Sequence, residues 1–294
     1  MSEPDTTDAR GIALVALSAT SYGLMPLFAK IAYATGTSTH TLLFLRFLTA
    51  TLFMFALMRL RHLRFPPPKE ALTYFLIGAV IYVGQSLAYF TAIDYAPAGV
   101  VALLLYTYPI IVVAASALIF GERISHRTLL ALALAVCGNF CIVGGQLGGS
   151  PIGIALALAS AVIYASYVLV TSRVVREGTQ TQSSALIMAG ATVVYGLMAA
   201  VFGFQPPQEA SGWLAVASIA LVSTVVAFWA FLTGLERTGP ATAALVSTLE
   251  PVVVVISSAV FLKEPLTLTV VVGGLLVVAA LVVTSLPADS PKEA

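Results

Sequence analysis

Runs of about twenty apolar residues, each the length that spans a bilayer, recur from one end of this chain to the other. They decide what it can fold into. Ten can be marked, near residues 11–33, 41–60, 71–93, 98–120, 127–146, 151–172, 183–204, 212–235, 240–262 and 266–286. At helical rise such a run crosses roughly 30 Å of hydrocarbon. The connectors are short, and the divisions at 94–97 and 236–239 are the least distinct. Of the 294 residues 59% are hydrophobic and only 9% charged, where a soluble domain carries about 25% charged residues. The expected class is therefore an all-α membrane protein with ten transmembrane helices.

The basic residues set an orientation. With the N-terminus in the cytoplasm, Arg10, Arg59, Arg61, Arg64, Lys69, Arg123, Arg127, Arg173, Arg176, Arg237 and Lys292 all fall inside, 11 of the 14 Lys and Arg. Only Lys263 falls in an outer loop, and Lys30 and Arg46 lie within spans. This satisfies the positive-inside rule and places both termini in the cytoplasm. The segments 1–10 and 287–294 read as short polar tails, the first acidic and so unlike a cleaved signal peptide.

A shift of 142 residues overlays the chain on itself. GIALVALSATSYG at Gly11 meets GIALALASAVIYA at Gly153. Ser18 meets Ser160, Tyr22 meets Tyr164, Gly36 meets Gly178, Pro109 meets Pro251 and Glu122 meets Glu264. Apolar coincidences are cheap in such a sequence, but matched Pro, Glu, Tyr and Gly at one constant shift are not. Each half, 11–146 and 151–286, holds five spans. An odd number makes the second half enter the membrane upside down. The expected architecture is a five-plus-five inverted-topology repeat, which secondary transporters use for alternating access.

Two stretches, AYFTAIDYAPAGVVALLLYTYPIIVVAASALIFGERIS and AFWAFLTGLERTGPATAALVSTLEPVVVVISSAVFLKEPLT, resemble the second part of the EamA-type repeat. That repeat defines ten-span carriers of the drug/metabolite transporter superfamily. The shared pattern is an aromatic-rich span, a short turn and a small-residue helix with a mid-span proline, closed by a Glu. Within that family the many tyrosines most resemble the bacterial aromatic amino acid exporters. The resemblance implies export of amino acids or similar metabolites across the inner membrane.

The intramembrane charges are few. A charge in lipid costs about 3 kcal/mol on insertion scales. Lys30, near the outer end of its span, can snorkel to the headgroups. Arg46, roughly 8 Å into the second span at helical rise, can snorkel, meet a helix C-terminus or face a polar cavity. Its repeat mate is Met188, so the scaffold does not need the charge twice. Glu250, in STLEPVVVV, sits near the middle of span 9 and cannot snorkel; its mate is Tyr108 in LYTYP. It is either a structural or gating carboxyl or the group that binds a substrate amine or a proton. The resemblance makes a Glu-Pro here a common feature of the repeat, which favours a shared role.

Pro109 and Pro251 lie at matched depth and Pro26 bends span 1, its mate being Val168. Each breaks a helical bond and is a candidate hinge. Tyr82, Gln85 and Tyr89 share a helical stripe, as do Ser18 with Tyr22, Ser160 with Tyr164 and Tyr167, and Ser247 with Glu250. In lipid such stripes point inward. With Tyr108 and Trp229 they would line a cavity of aromatic bodies and hydroxyl tips, suited to an amphipathic zwitterion. Tyr33, Tyr74 and Tyr95, near span ends, read as interface anchors. Small residues in spans 4 and 9 permit close helix contact. Spans 5 and 10 have few polar groups and are expected at the periphery. Cys137 and Cys141, four apart, read as a buried structural pair.

These features favour a secondary carrier for amino acids or related small metabolites. The rival within transport is a proton-coupled exporter of lipophilic cations working through Glu250. An enzyme would need a clustered constellation, whereas His40, His62 and His126 are scattered at span ends or in loops. No phosphate-binding loop, metal-ligand spacing or other cofactor signal appears. A net charge of +1 points away from nucleic acid. The partners implied are the lipid bilayer and a small-molecule substrate, with monomer or homodimer left open. A single mid-membrane acid with no ATP motif leans towards a facilitator over a proton-linked exchanger.

Overall fold

The computed structural model describes residues 8–121, 124–143, 149–263 and 266–285. The matched Glu122 and Glu264, Arg123, Lys292 and most of both tails lie outside these residues. Every regular element among the described residues is helical. Span 1 is Ala9–Ala34, span 2 Thr39–Leu60 and span 3 Pro68–Ile93. Span 4 is made of Ala98–Leu105 and Tyr108–Phe120, and span 5 is His126–Val143. Span 6 is Pro151–Val174 and span 7 Gln180–Phe202. Spans 8 and 9 share one helical run, Ala210–Ser247, that turns sharply where Gly239 adopts φ 76° and ψ 166°. Span 9 then continues as Glu250–Leu262, and span 10 is Leu268–Ser285. The connector expected at 236–239 is thus a single glycine in a conformation that a Cβ would strain, followed by Pro240.

The backbone obeys the same shift of 142 as the sequence. Asp8 caps span 1 by accepting from the N–H groups of Arg10 and Gly11, and its mate Ser150 caps span 6 by accepting from Gly153. The helix breaks match too. Span 4 unwinds at Tyr106–Thr107 and span 9 at Thr248–Leu249. Both second pieces end on a left-handed residue, Gly121 with φ 70° and its mate Lys263 with φ 57°.

Pro109 and Pro251 do not kink a continuous helix. Each is the second residue of a fresh helical piece, where a missing N–H costs nothing. A threonine hydroxyl closes each preceding piece, Thr107 on the Leu104 carbonyl and Thr248 on the Leu245 carbonyl, both at 2.6 Å. Pro26 acts likewise in span 1, opening Met25–Ala34 after a break at Leu24. Its half-mate, span 6, runs unbroken for 24 residues because Val168 replaces the proline.

Spans 3 and 8 each carry a π-helical segment, Ile77–Tyr82 and Leu221–Val226. A π-turn holds one extra residue, rotates the face that follows it, and is frequent at functional sites.

Packing follows a pseudo-twofold arrangement. Span 1 lies along spans 8 and 9, and span 6 along spans 3 and 4, while span 2 pairs with span 7 and span 5 with span 10. Glycines set the crossings. A Cβ on Gly138 would sit 2.7 Å from the Gly273 carbonyl oxygen, so spans 5 and 10 meet backbone to backbone. That crossing takes the glycine face of span 5 and turns Cys137 outward. It is exposed and Cys141 half-buried, so the two are not a buried pair. Gly78 lies directly on the Ile187 carbonyl and Gly190 on that of Phe75, drawing spans 3 and 7 together. This closeness buries Tyr74 completely, with its hydroxyl donating to the Val174 carbonyl at 3.3 Å. Tyr74 is therefore a packing residue and no interface anchor, whereas Tyr33 and Tyr95 are exposed.

Candidate functional site

The break in span 9 meets the break in span 1. A Cβ on Gly23 would lie 2.8 Å from the Glu250 carbonyl oxygen and 2.6 Å from Val253 Cβ. Glycine at 23 thus lets the two interrupted helices touch at the carboxylate-bearing turn. Glu250 is only half-buried although it stands mid-span. Tyr89, Tyr106, Tyr108 and Tyr164 all lie within electrostatic range of it. A carboxylate at this depth, costing about 3 kcal/mol or more to insert if it faced lipid, is surrounded instead by phenol rings.

From there an aromatic chain crosses the molecule. Tyr108 meets Tyr164 edge-on with centroids 4.6 Å apart. Tyr164 stacks on Tyr167 at 5.9 Å, Tyr167 meets Tyr82 at 5.9 Å and Tyr82 meets Phe47 at 5.5 Å. Phe228 closes the wall, 5.1 Å from Tyr82 and 6.0 Å from Tyr22. Such pairs are worth about 0.5–1.5 kcal/mol each beyond their burial, so the wall is rigid. Tyr22, Tyr82, Gln85, Tyr89 and Tyr164 nevertheless remain half-buried. Ser247 and Tyr108 are buried beside them, and the Tyr108 hydroxyl points at the Ala244 carbonyl at 3.4 Å.

The far end of the chain is cationic. Arg46 is 3% exposed, and its guanidinium carbon lies 4.7 Å over the Phe47 ring. Nε donates to the Thr224 hydroxyl at 2.6 Å and Nη2 to the Ser223 carbonyl at 3.3 Å. Both acceptors belong to the π-helical segment of span 8. Among the described residues no carboxylate comes within ion-pair distance of Arg46, though Glu250 lies within its electrostatic range.

The structure thus gathers Tyr22, Arg46, Tyr82, Gln85, Tyr89, Tyr108, Tyr164, Tyr167, Ser247 and Glu250 around the crossing of spans 1, 2, 3, 4, 6 and 9. Pro109 and Pro251 open the helical pieces that carry Tyr108 and Glu250, and Pro26 stands on the exposed side of the span 1 break. Trp229 is the exception. It is exposed and its ring makes no contact with the wall among the described residues. Phe228 and Phe231 occupy the inward face of span 8, and the 100° step of a helix turns the residue at 229 away from both.

Residues unmarked in the sequence complete the wall: Phe47, Phe228 and Phe231, Tyr106 and Tyr195, and the hydrogen-bonding Ser223 and Thr224. The phenylalanines carry no signal in so apolar a chain, while Tyr106 stands in the same LYTYP stretch as Tyr108 and shared its signal. Among the described residues no group of three or more His, Cys, Asp or Glu side chains could hold a metal ion.

This geometry has relatives. The chain is 27% identical over 214 residues to a protein of Escherichia coli K12 named as an uncharacterized inner membrane transporter, YedA, covering 72% of this chain and 70% of that one. It is 27% identical over 231 residues to a probable amino-acid metabolite efflux pump of Salmonella typhimurium, covering 73% and 77%. It is 26% identical over 164 residues to the aromatic amino acid exporter YddG of Ancylobacter novellus, covering 52% and 55%. A solved crystal structure superposes with a TM-score of 0.82 at 21% identity over 94% of this chain and 96% of the other, which speaks for the fold. The model of the EamA-like transporter family matches twice, at residues 9–144 and 151–286. This all-helical, multi-pass membrane protein of five plus five inverted spans belongs to the EamA-like transporter family.

Proposed function

We propose that this carrier exports amino acids with aromatic or other apolar side chains, or closely related small metabolites, across a bacterial inner membrane. Both termini face the cytoplasm, and transport runs by alternating access. The observation that supports this most directly is the run of tyrosines, half-buried at Tyr82, Tyr89 and Tyr164, leading to Glu250 at the helix break. Apolar ring faces suit an apolar side chain, hydroxyl tips suit polar atoms, and a mid-membrane carboxylate suits an ammonium group. The names of two relatives, an amino-acid metabolite efflux pump and an aromatic amino acid exporter, lie in the same direction.

Counterflow in liposomes containing only this protein tests the reading. Labelled phenylalanine is expected to accumulate against unlabelled phenylalanine trapped inside. No accumulation for any amino acid tested rejects it. Flux is expected to persist when the pH gradient is collapsed, as a facilitator requires.

One observation favours a second reading. Tyrosine faces around a carboxylate also suit a lipophilic cation, exchanged for a proton at Glu250. Under that reading Glu250→Gln abolishes export of a cation such as tetraphenylphosphonium, and wild-type flux fails without a pH gradient.

A further inference from the structure

Arg46 is the buried cation at the end of the aromatic chain, and its own contacts leave it incompletely matched. Of its five N–H groups, one goes to the Thr224 hydroxyl and one to the Ser223 carbonyl, and Nη1 has no partner among the described residues. Both acceptors are neutral. A cation removed from water keeps its charge at a reasonable cost only with an anion or a full set of acceptors. The ring of Phe47 supplies part of that balance.

Two further polar side chains beside it are buried. The Ser223 hydroxyl has no hydrogen-bond partner among the described residues, and the Tyr195 hydroxyl finds at most the Ser86 hydroxyl. Tyr195 stacks on Phe47 with centroids 5.6 Å apart and lies within electrostatic range of Arg46. Buried donors without acceptors are rare in a folded protein. Here a guanidinium and a phenol lie against the Phe47 ring, and the serine whose carbonyl the guanidinium meets keeps its own hydroxyl unpaired.

The repeat argues that folding does not require this cluster. Arg46 has Met188 as its mate, Ser223 has Ile81 and Thr224 has Tyr82. The pseudo-equivalent corner closes without a cation, and Met188 is fully buried there. The polar set occurs in one half only, as a ligand site does and a scaffold element does not.

We propose that Arg46, assisted by the Tyr195 hydroxyl, is the specificity-determining anchor for a carboxylate on the transported molecule. Glu250 lies within electrostatic range of Arg46, so the carboxylate and the ammonium that share the α-carbon of an amino acid face Arg46 of span 2 and Glu250 of span 9. This deepens, and in its zwitterionic form rests on, the amino acid reading above. A guanidinium offers two parallel N–H groups to a carboxylate, whereas an amide offers it one neutral acceptor and a competing donor. The carrier therefore selects for the acid.

Two measurements on the full-length protein decide the point. In counterflow, unlabelled phenylalanine is expected to compete with the labelled substrate at least about tenfold better than phenylalaninamide, as loss of a charged hydrogen-bond partner implies. Arg46→Gln removes the difference by raising the apparent KM for phenylalanine at least about tenfold, with Arg46→Lys between. Equal competition by acid and amide in wild type overturns the proposal, as does an unchanged KM in folded Arg46→Gln. The second measurement needs no amino acid transport: thermal stabilisation of the detergent-purified protein by 3-phenylpropionate and by 3-phenylpropionamide. The acid alone is expected to stabilise wild type. If phenylalanine flux is absent, the amino acid reading fails, and a preference for the acid in this assay still upholds Arg46 as a carboxylate anchor. Equal stabilisation by both, or by neither, overturns it. Should Arg46→Gln not fold, the wild-type comparisons decide alone.

Discussion

The Gln85 amide donates to the Ser160 hydroxyl at 3.0 Å, tying span 3 to span 6 beside the tyrosine wall. The same contact recurs in the other half, where Ser18, the mate of Ser160, donates to the carbonyl of Ala227, the mate of Gln85, at 2.8 Å. One joint is made with a side chain and the other with backbone, but both clamp the lead helix of a repeat to the helix that carries a π-helical segment. Each bond is worth about 1 kcal/mol. Gln85→Leu and Ser18→Ala are each expected to lower stability by that order, read as a fall in unfolding temperature in detergent. No fall for either variant would mean that these joints are not formed in the folded carrier.

The serines of these joints, their repeat shift and the matched prolines could all be found in the sequence. So could the division into ten spans, since apolar run length is dictated by bilayer thickness. What the sequence hid has physical reasons. The π-helical turns at Ile77–Tyr82 and Leu221–Val226 have no local residue signature, because tertiary contacts such as Gly78 on Ile187 hold them. Phe47 and Phe228 look like any lipid-facing phenylalanine until their neighbours are known. Depth in a span says nothing about which face a residue takes, and Trp229 takes the exposed one. Position near a span end says nothing about whether glycines bring another helix over a residue, as they do over Tyr74.

Glu250 is a carboxylate where the repeat places a tyrosine. Glu250→Gln keeps the size and the hydrogen-bonding groups but removes the charge. For a substrate bound by its ammonium, loss of a charge-assisted hydrogen bond of about 1.5–3 kcal/mol raises the apparent KM by one to two orders of magnitude. The unfolding temperature should hold or rise, since an uncompensated mid-membrane charge is removed. Counterflow of labelled phenylalanine at a series of concentrations measures the first effect. An unchanged KM with an unchanged maximal rate would assign Glu250 a purely structural role.

At the end of span 1, Asp8 accepts from the N–H groups of Arg10 at 2.9 Å and Gly11 at 3.2 Å, and pairs with Arg237 at 2.7 Å. Slight desolvation pushes its carboxyl up, but these hydrogen bonds and the guanidinium outweigh it and hold the pKa below the ordinary 3.8. A depressed folded-state value stabilises the fold above the unfolded pKa, and the contribution is lost as pH falls through the folded one. Asp8→Asn retains a cap but not the charge. It should therefore unfold at a lower temperature than wild type at pH 7, with the gap closing below about pH 4, where the unfolded carboxyl titrates. A gap of the same size at pH 7 and pH 3 would exclude the carboxylate as its source.

The inverted repeat also forecasts a contact that this conformation lacks. On one face of the membrane the Gln180 amide donates to the Glu236 carboxylate, joining the ends of spans 7 and 8. Their mates, Ser38 and Asp94, occupy the ends of spans 2 and 3 on the opposite face. There the Ser38 hydroxyl turns to Thr41 of its own helix at 2.9 Å, and Asp94 is exposed. If the halves exchange conformations during transport, the Gln180–Glu236 bond opens as Ser38 and Asp94 close. With Cys137 and Cys141 replaced by alanine, the pair Ser38→Cys and Asp94→Cys should then form a disulfide under mild oxidation. The bond requires Cα atoms within about 7 Å. Adding transported substrate should speed it, because cycling visits the closed state more often, and the cross-linked protein should lose counterflow until reduced. Gln180→Cys with Glu236→Cys should behave in the opposite sense, forming at once and slowing with substrate. Substrate-independent cross-linking of both pairs would show that the two faces do not alternate.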